Sequence, residues 1–317
     1  MTAAVAAAAD EAGGGSPLRR LSTFLYLRPR FVLLLLLVPP LLWLGVIYLG
    51  SLFALLLQSF FYIDEFTGQV VHEVTLRTFG ELFTAANLSV IWRTAGMAAL
   101  VTAACATIAF PIAYYMVRYA GIRTKALFYL AIMLPLWSSY LVRVYAWKLL
   151  LAKEGVITWV MEQLHLAWVL DGILQIPMIG GPSLSASYIG TFLVFVYIWL
   201  PYMILPIEAA LERVPRSMIE ASADLGAHPG STLRHVILPL AIPGIAAGSI
   251  FTFSLTLGDY IIPQIIGNSR PFIGMAVYLH QGTAGNIPLA AAFAVVPIAI
   301  MAIYLTLAKR FGAFDAL

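Results

Sequence analysis

Six apolar runs long enough to cross a bilayer dominate the chain, near Phe31 to Leu57, Val90 to Val117, Ala126 to Leu151, Tyr188 to Leu205, Val236 to Leu257 and Leu289 to Ala308. A helix of about 20 apolar residues spans a hydrocarbon core of roughly 30 Å. Hydrocarbon offers no partner to an unpaired backbone N–H or C=O, so each run must close its own hydrogen bonds as a helix. At 62% hydrophobic and 10% charged over 317 residues, the composition is not that of a soluble domain. The expected fold is an all-α polytopic membrane protein with six transmembrane helices.

Polar residues mark what stays outside the membrane. Residues 1–16 are rich in Ala and Gly, with Asp10 and Glu11, and residues 1–30 read as a largely disordered tail. The run that follows Arg28 and Arg30 is longer than a signal-peptide core and lacks a small-residue cleavage site. It is expected to be a retained first helix, kinked at Pro39 and Pro40. The stretch Val156 to Ile176 is also apolar, yet Glu162, His165 and Asp171 interrupt it, and charges at bilayer depth are costly. It reads as one surface helix. A membrane domain over 31–312 and a short tail at 313–317 result.

Cytoplasmic loops collect Lys and Arg. With six helices, one side holds twelve cations: Arg19, Arg20, Arg28, Arg30, Arg118, Arg123, Lys125, Arg213, Arg216, Arg234, Lys309 and Arg310. The other side holds three, Arg77, Lys153 and Arg270. Both termini are therefore expected in the cytoplasm, and a seventh span at Val156 to Ile176 would spoil the asymmetry. The outer loops, 58–88, 152–187 and 258–288, then carry eight of the fifteen acids: Asp64, Glu65, Glu73, Glu81, Glu154, Glu162, Asp171 and Asp259. Such a mouth attracts a cationic solute; the other reading is that acids are simply unrestricted by the rule for bases.

No G-x-x-x-x-G-K-S/T loop occurs, so ATP is not bound by that route, and neither H-E-x-x-H nor G-x-S-x-G is present. His72, His165, His228, His235 and His280 show no ligand spacing, and Cys105, alone in an apolar run, reads as a packed small residue. No catalytic residue, metal ligand, cofactor or nucleic-acid partner is assigned to this chain.

The segment Pro215 to Pro239, PRSMIEASADLGAHPGSTLRHVILP, interrupts the apolar runs. Ser217 and Glu220 have capping-box spacing, and Gly226 suits a left-handed helix end. Met218, Ala221, Ser222 and Leu225 recur at helical spacing as a small apolar face beside the acidic Glu220 and Asp224. Ser231 is expected to cap the helix that re-enters the membrane through Pro239. An ordinary amphipathic connector would look similar. The segment resembles the EAA loop of bacterial binding-protein-dependent ABC importer permeases, E-A-A, three residues, G, nine residues, I-x-L-P. Glu220, Ala221, Ser222, Gly226, Val236, Ile237, Leu238 and Pro239 match that spacing, with Ser222 for Ala and Val236 for Ile as departures. The resemblance implies a type I importer fold and a non-catalytic membrane subunit. It also implies a loop at 213–235 that couples to a cytosolic ATPase, the coupling residues being Glu220, Ala221, Ser222, Asp224, Leu225, Gly226 and Pro239, with ATP and Mg held by that partner.

The third run carries Trp137, Tyr140, Arg143, Tyr145 and Trp147. Aromatic faces attract amines by roughly 0.5 to 2 kcal/mol each, and the same rings serve equally as an interfacial belt. Arg143, so near the interior, requires a carboxylate, a carbonyl or water beside it. Asp259, next to Tyr260 at the outer end of the fifth run, either receives an ammonium group or caps a turn after Gly258. Leu141, Arg143, Tyr145, Ala146 and Trp147, with GDYIIPQIIG from Gly258 to Gly267, resemble the spermidine/putrescine importer permeases. That resemblance implies a second, similar permease, two copies of an ATPase, an external solute-binding protein, and a polyamine solute passing Trp137, Tyr140, Tyr145, Asp259 and Tyr260. An amino acid derivative or ferric ion as solute, and a stand-alone channel or enzyme, are the alternatives. Gly244 and Gly248 form a G-x-x-x-G that permits close helix contact.

Overall fold

The computed structural model describes residues 17–64, 66–268 and 270–310; the tails expected at 1–16 and 313–317, and Glu65, lie outside the described residues. The chain divides into two units, Met1–Leu57 and Gln58–Leu317.

In the first unit, α1 (Pro17–Leu27) leads into α2 (Pro29–Leu42), a π-helical segment (Trp43–Leu49) and α3 (Gly50–Gln58). Within the tail expected over 1–30, the chain from Pro17 on is helical except at Arg28. The end of that tail is held by the Phe24 ring, which packs edge-on against Phe31 at 5.8 Å and lies 4.9 Å from the Arg28 guanidinium. The kink expected at Pro39 and Pro40 takes another form. Neither proline can donate a backbone bond, and the helix answers by widening into a π segment while Trp43 N–H still reaches the carbonyls of both. Pro29–Gln58 thereby continues as one 30-residue apolar helix.

The second unit opens with a short antiparallel hairpin, β1 (Tyr62–Ile63) and β2 (Val70–Val71), and α4 (Arg77–Leu82). The 34-residue α5 (Ala85–Arg118) follows. Then come α6 (Ile122–Trp137) and α7 (Tyr140–Leu150), bent 99° from one another. The third span is thus broken rather than straight: Pro135 lies in the last turn of the first half, and Ser138 (φ −79°, ψ 152°) and Ser139 (φ −57°, ψ 132°) leave the helical conformation. The apolar stretch after it stays out of the set of spans, yet it is two helices, α8 (Val156–Gln163) and α9 (Ala167–Leu174), broken where His165 adopts φ 56°.

The remaining helices are α10 (Tyr188–Glu212), α11 (Arg216–Asp224), α12 (Pro229–Thr232), α13 (Leu238–Gly258), α14 (Ile261–Ile265), α15 (Ile273–Gly282) and α16 (Ile287–Arg310). A π segment, Leu233–Ile237, joins α12 to α13 without a break. Among the described residues five helices are long and apolar enough to cross a membrane, and the bent pair makes a sixth.

The core of this unit is α10, flanked by α5 and α13. Val194, Phe195, Ile198, Met203, Ile207 and Leu211 of α10 are buried against Val101, Cys105, Ala109, Ala113 and Met116 of α5. Cys105 packs as expected, its Sγ 3.7 Å from the Val196 carbonyl. Between membrane helices there is no hydrophobic drive comparable to that in water, so close van der Waals approach must hold them. Gly244 and Gly248 supply it: a Cβ on Gly244 would meet the Pro206 carbonyl and the Ala210 Cβ at 2.5 Å, and one on Gly248 would meet Met203 Sδ at 2.8 Å. Rotamer changes cannot clear a backbone oxygen. Gly244→Val is therefore expected to destabilise the fold by about 1–3 kcal/mol or more, read as a lowered thermal midpoint in detergent. Gly282→Val, whose added Cβ has nothing within 4 Å, should leave that midpoint unchanged.

Candidate functional site

Two polar sites lie at the two ends of the 30-residue helix Pro229–Gly258. The first is α11 and the turn after it. Pro215, with φ −63° and extended ψ, occupies the N-cap position and no side chain caps the helix, so Ser217 and Glu220 sit inside it and form no capping box. The proline starts the helix two residues earlier than the serine would. Ser231 is displaced for the same reason. Pro229 occupies the first position of α12, and the His228 ring caps it by accepting from Gly230 N–H at 3.3 Å.

The far end of α11 matches expectation. Gly226 takes φ +77°, Gly226 N–H bonds the Ala223 carbonyl at 2.8 Å and Ala227 N–H bonds the Ser222 carbonyl at 3.1 Å, the paired closure of a left-handed helix end. The apolar face is split in two. Ile219 packs inward on the core and the Ser222 hydroxyl bonds the Thr232 hydroxyl at 2.9 Å, tying the two sides of the turn together. Met218 and Ala221 face outward with Glu220, Asp224 and Leu225, the last 88% exposed. Pro239 is exposed near the start of α13. The result is an open surface of apolar and acidic groups on a helix anchored at its back.

The second site is at the other end of α13. The helix stops at Gly258, and Asp259 Oδ1 accepts from Ile262 N–H at 2.9 Å to begin α14. Asp259 Oδ2 accepts from the Tyr140 hydroxyl. The carboxylate thus caps a turn and also lines a cleft of about 350 Å³ with Trp199, Ser254, Leu255, Gly258 and Tyr260. The Tyr140 ring stacks on Trp199 at 5.9 Å, and Tyr260 stacks on Tyr278 at 5.1 Å. Among the described residues no carboxylate or carbonyl bonds the buried Nε and one terminal nitrogen of Arg143. The Arg143 guanidinium lies 5.9 Å from the Tyr140 ring centroid.

Of the residues expected along a path, Tyr140, Asp259 and Tyr260 come together. Trp137 and Tyr145 do not: both lie outside the cleft's lining, Trp137 78% exposed at the end of α6 and Tyr145 on the outer surface of α7. No motif or spacing marks Trp199 or Tyr278. Glu208 was equally unmarked, though a carboxylate inside an apolar run is a signal in itself. It is buried in α10, 3.2 Å from Lys125 Nζ and bonded by the Tyr129 hydroxyl, while Lys125 also bonds Glu212.

Residues 76–313 match the family described as the binding-protein-dependent transport system inner membrane component. The chain is 56% identical over 300 residues to the inner membrane ABC transporter permease protein YdcU of Escherichia coli, covering 95% of this chain and 96% of that one. It is 28% identical to the spermidine/putrescine transport system permease protein PotB of Haemophilus influenzae, over 62% of this chain and 65% of that one. Among solved structures, a chain of a bacterial ABC transporter involved in the import of the acidic polysaccharide alginate superposes with a TM-score of 0.69 at 16% identity, covering 92% of this chain and 99% of that one. At that identity the superposition shows the fold.

The hydrogen bond from Tyr140 to Asp259 joins α7 to α14. Tyr140→Phe removes its donor and little else, so a loss of about 1.5–3 kcal/mol is expected, as for a bond to a charged group. A thermal-shift measurement in detergent checks it, with Tyr145→Phe expected to melt as the parent does.

Proposed function

This chain belongs to the family of inner membrane components of binding-protein-dependent transport systems, and from that membership we propose that it forms half of a translocation path for polyamines of the spermidine and putrescine class. Family membership makes it a permease subunit of an ABC importer, a multi-pass protein of the cytoplasmic membrane. The solute rests on one observation above all, the Asp259 carboxylate in a cleft walled by Trp199 and Tyr260. An ammonium group leaving water needs an anion or π-faces in exchange, since an unpaired desolvated charge is costly. The acids of the outer loops and the likeness to PotB support the same reading.

On this reading both termini are cytoplasmic, and a second, similar permease completes the pore. A solute-binding protein outside delivers the polyamine. Of two copies of an ATPase, which hold ATP and Mg, one docks against the outward face of α11, where Met218, Ala221 and Leu225 offer apolar contact and Glu220 and Asp224 offer charge. Ser222 and Gly226 hold that helix in place, and Pro239 lies where the loop re-enters the membrane. Tyr140, Asp259 and Tyr260 line the path, with Trp137 and Tyr145 at its margin.

Uptake of radiolabelled spermidine and putrescine by cells carrying the full transporter tests both halves. Asp259→Asn keeps size and removes charge; uptake at low substrate should fall at least ten-fold, about 1.4 kcal/mol, with membrane insertion intact. Undiminished uptake in both Asp259→Asn and Trp137→Leu would mean that these groups are cap and belt and that the solute passes elsewhere. Gly226→Pro forbids the φ of +77°, and Glu220→Lys reverses charge on the outward face. Each should abolish uptake while the chain still reaches the membrane, and co-purification of the ATPase on a tagged permease should drop with it. Normal uptake in both would remove α11 as the coupling contact.

A further inference from the structure

A cleft of about 320 Å³ opens where three spans end together: Arg118 closes α5, Lys125 stands in the first turn of α6, and Glu212 ends α10. Arg216, the first residue of α11, completes the wall over the buried Leu211 and Val214. Three cations thus line the cleft with Glu212, and Lys125 is shared between Glu212 and the buried Glu208 behind it. The Nε and one terminal nitrogen of Arg118 are buried and have no hydrogen-bond partner among the described residues. The carbonyl end of α5 favours a cation here but supplies no acceptor to those N–H groups. A guanidinium fork with unmet donors, beside a second guanidinium and an ammonium, matches the oxygens of a phosphate.

We propose that this cleft binds a phosphate group, with Arg118 as the bidentate ligand and Arg216 and Lys125 as flanking cations. Its position at the ends of the spans makes the headgroup of an anionic phospholipid the expected source, and the exposed rings of Tyr115 and Tyr119 at the same end of α5 mark an interfacial level. A soluble phosphate would use the same ligands. Arg118 also lines the neighbouring cleft under α11, with Ile219 and Ala223. Phosphate binding therefore fixes a side chain on which α11 is seated.

The full-length protein in phosphatidylcholine nanodiscs tests this, with phosphatidylglycerol added in one arm and inorganic phosphate in the other. Thermal midpoint and lipid retained in native mass spectrometry are the readouts. Phosphatidylglycerol should be retained and raise the midpoint, and Arg118→Gln and Arg216→Gln should each weaken that retention at least ten-fold without changing phosphatidylcholine retention. A response to phosphatidylglycerol alone identifies the headgroup; an equal response to inorganic phosphate identifies a soluble phosphate. Arg118→Lys keeps the charge without the fork and should weaken retention by an intermediate factor, so it and Arg216→Gln carry the test if Arg118→Gln fails to fold. No response of the parent protein to either probe, or unchanged retention in the variants, overturns the proposal. So does loss of ATPase association in Arg118→Gln with no phosphate response, which would assign the cleft to an acidic side chain of that partner.

Discussion

Inside hydrocarbon a backbone N–H or C=O without a partner has no water to turn to, so every break in a membrane helix has to be repaired where it occurs. The chemistry of this chain lies at those repairs. At the bend of the third span the Pro135 carbonyl accepts from Ser138 N–H at 3.2 Å and from the Ser138 hydroxyl at 2.7 Å. Where α13 stops, Asp259 closes the gap by taking Ile262 N–H. The Tyr140 hydroxyl then bonds that carboxylate, so the segments beyond the two breaks are joined to each other. A carboxylate stands beside an aromatic cleft because the backbone has a use for it there.

The same requirement operates on the other side of the bend. Glu208 is 4% exposed, and a buried carboxylate persists only with partners that offset its desolvation. Lys125 and Tyr129 of α6 provide them, tying the first half of the third span to α10. The second half is tied elsewhere, to Asp259. The two halves of the third span are therefore tied to different partners, whereas α10 meets α13 in close contact at Gly244 and Gly248.

How much of this was legible in the sequence follows from which forces are local. Span number and position are, because apolar length is a property of each run alone, and the left-handed Gly226 is, because only the residue after the last turn decides it. The caps were misplaced at Ser217 and Ser231 because a proline two residues upstream starts each helix first, by fixing φ where a serine only offers a bond. The split of the α11 face could not be read from spacing, since Ile219 and Met218 are equally apolar and only the tertiary seat chooses between them. The partners of Asp259 lie 119 residues away at Tyr140, and Glu208 finds Tyr129 over 79 residues. Spacing within a helix carries no information about such pairings. Of the alternatives drawn for Asp259 the cap is present, and it engages only one of the carboxylate's two oxygens.

That arithmetic bears on how a polyamine would be handled on the proposed reading. An ionised carboxylate offers about four lone-pair positions; Ile262 N–H uses one on Oδ1 and the Tyr140 hydroxyl one on Oδ2, which leaves acceptor capacity without dismantling the cap. On that reading one ammonium group would meet one half-occupied carboxylate and the faces of neighbouring rings. A bare acid pair would hold a polycation more tightly, but a path must release what it takes up, so binding has to be strong enough to admit the solute and weak enough to let it leave. Two bonds already made to Asp259 would lower its pull on an amine, and the π-faces of Trp199 and Tyr260 would replace part of the lost hydration without adding charge. On the proposed reading, the constraint that repairs the helix break would thus also moderate the site.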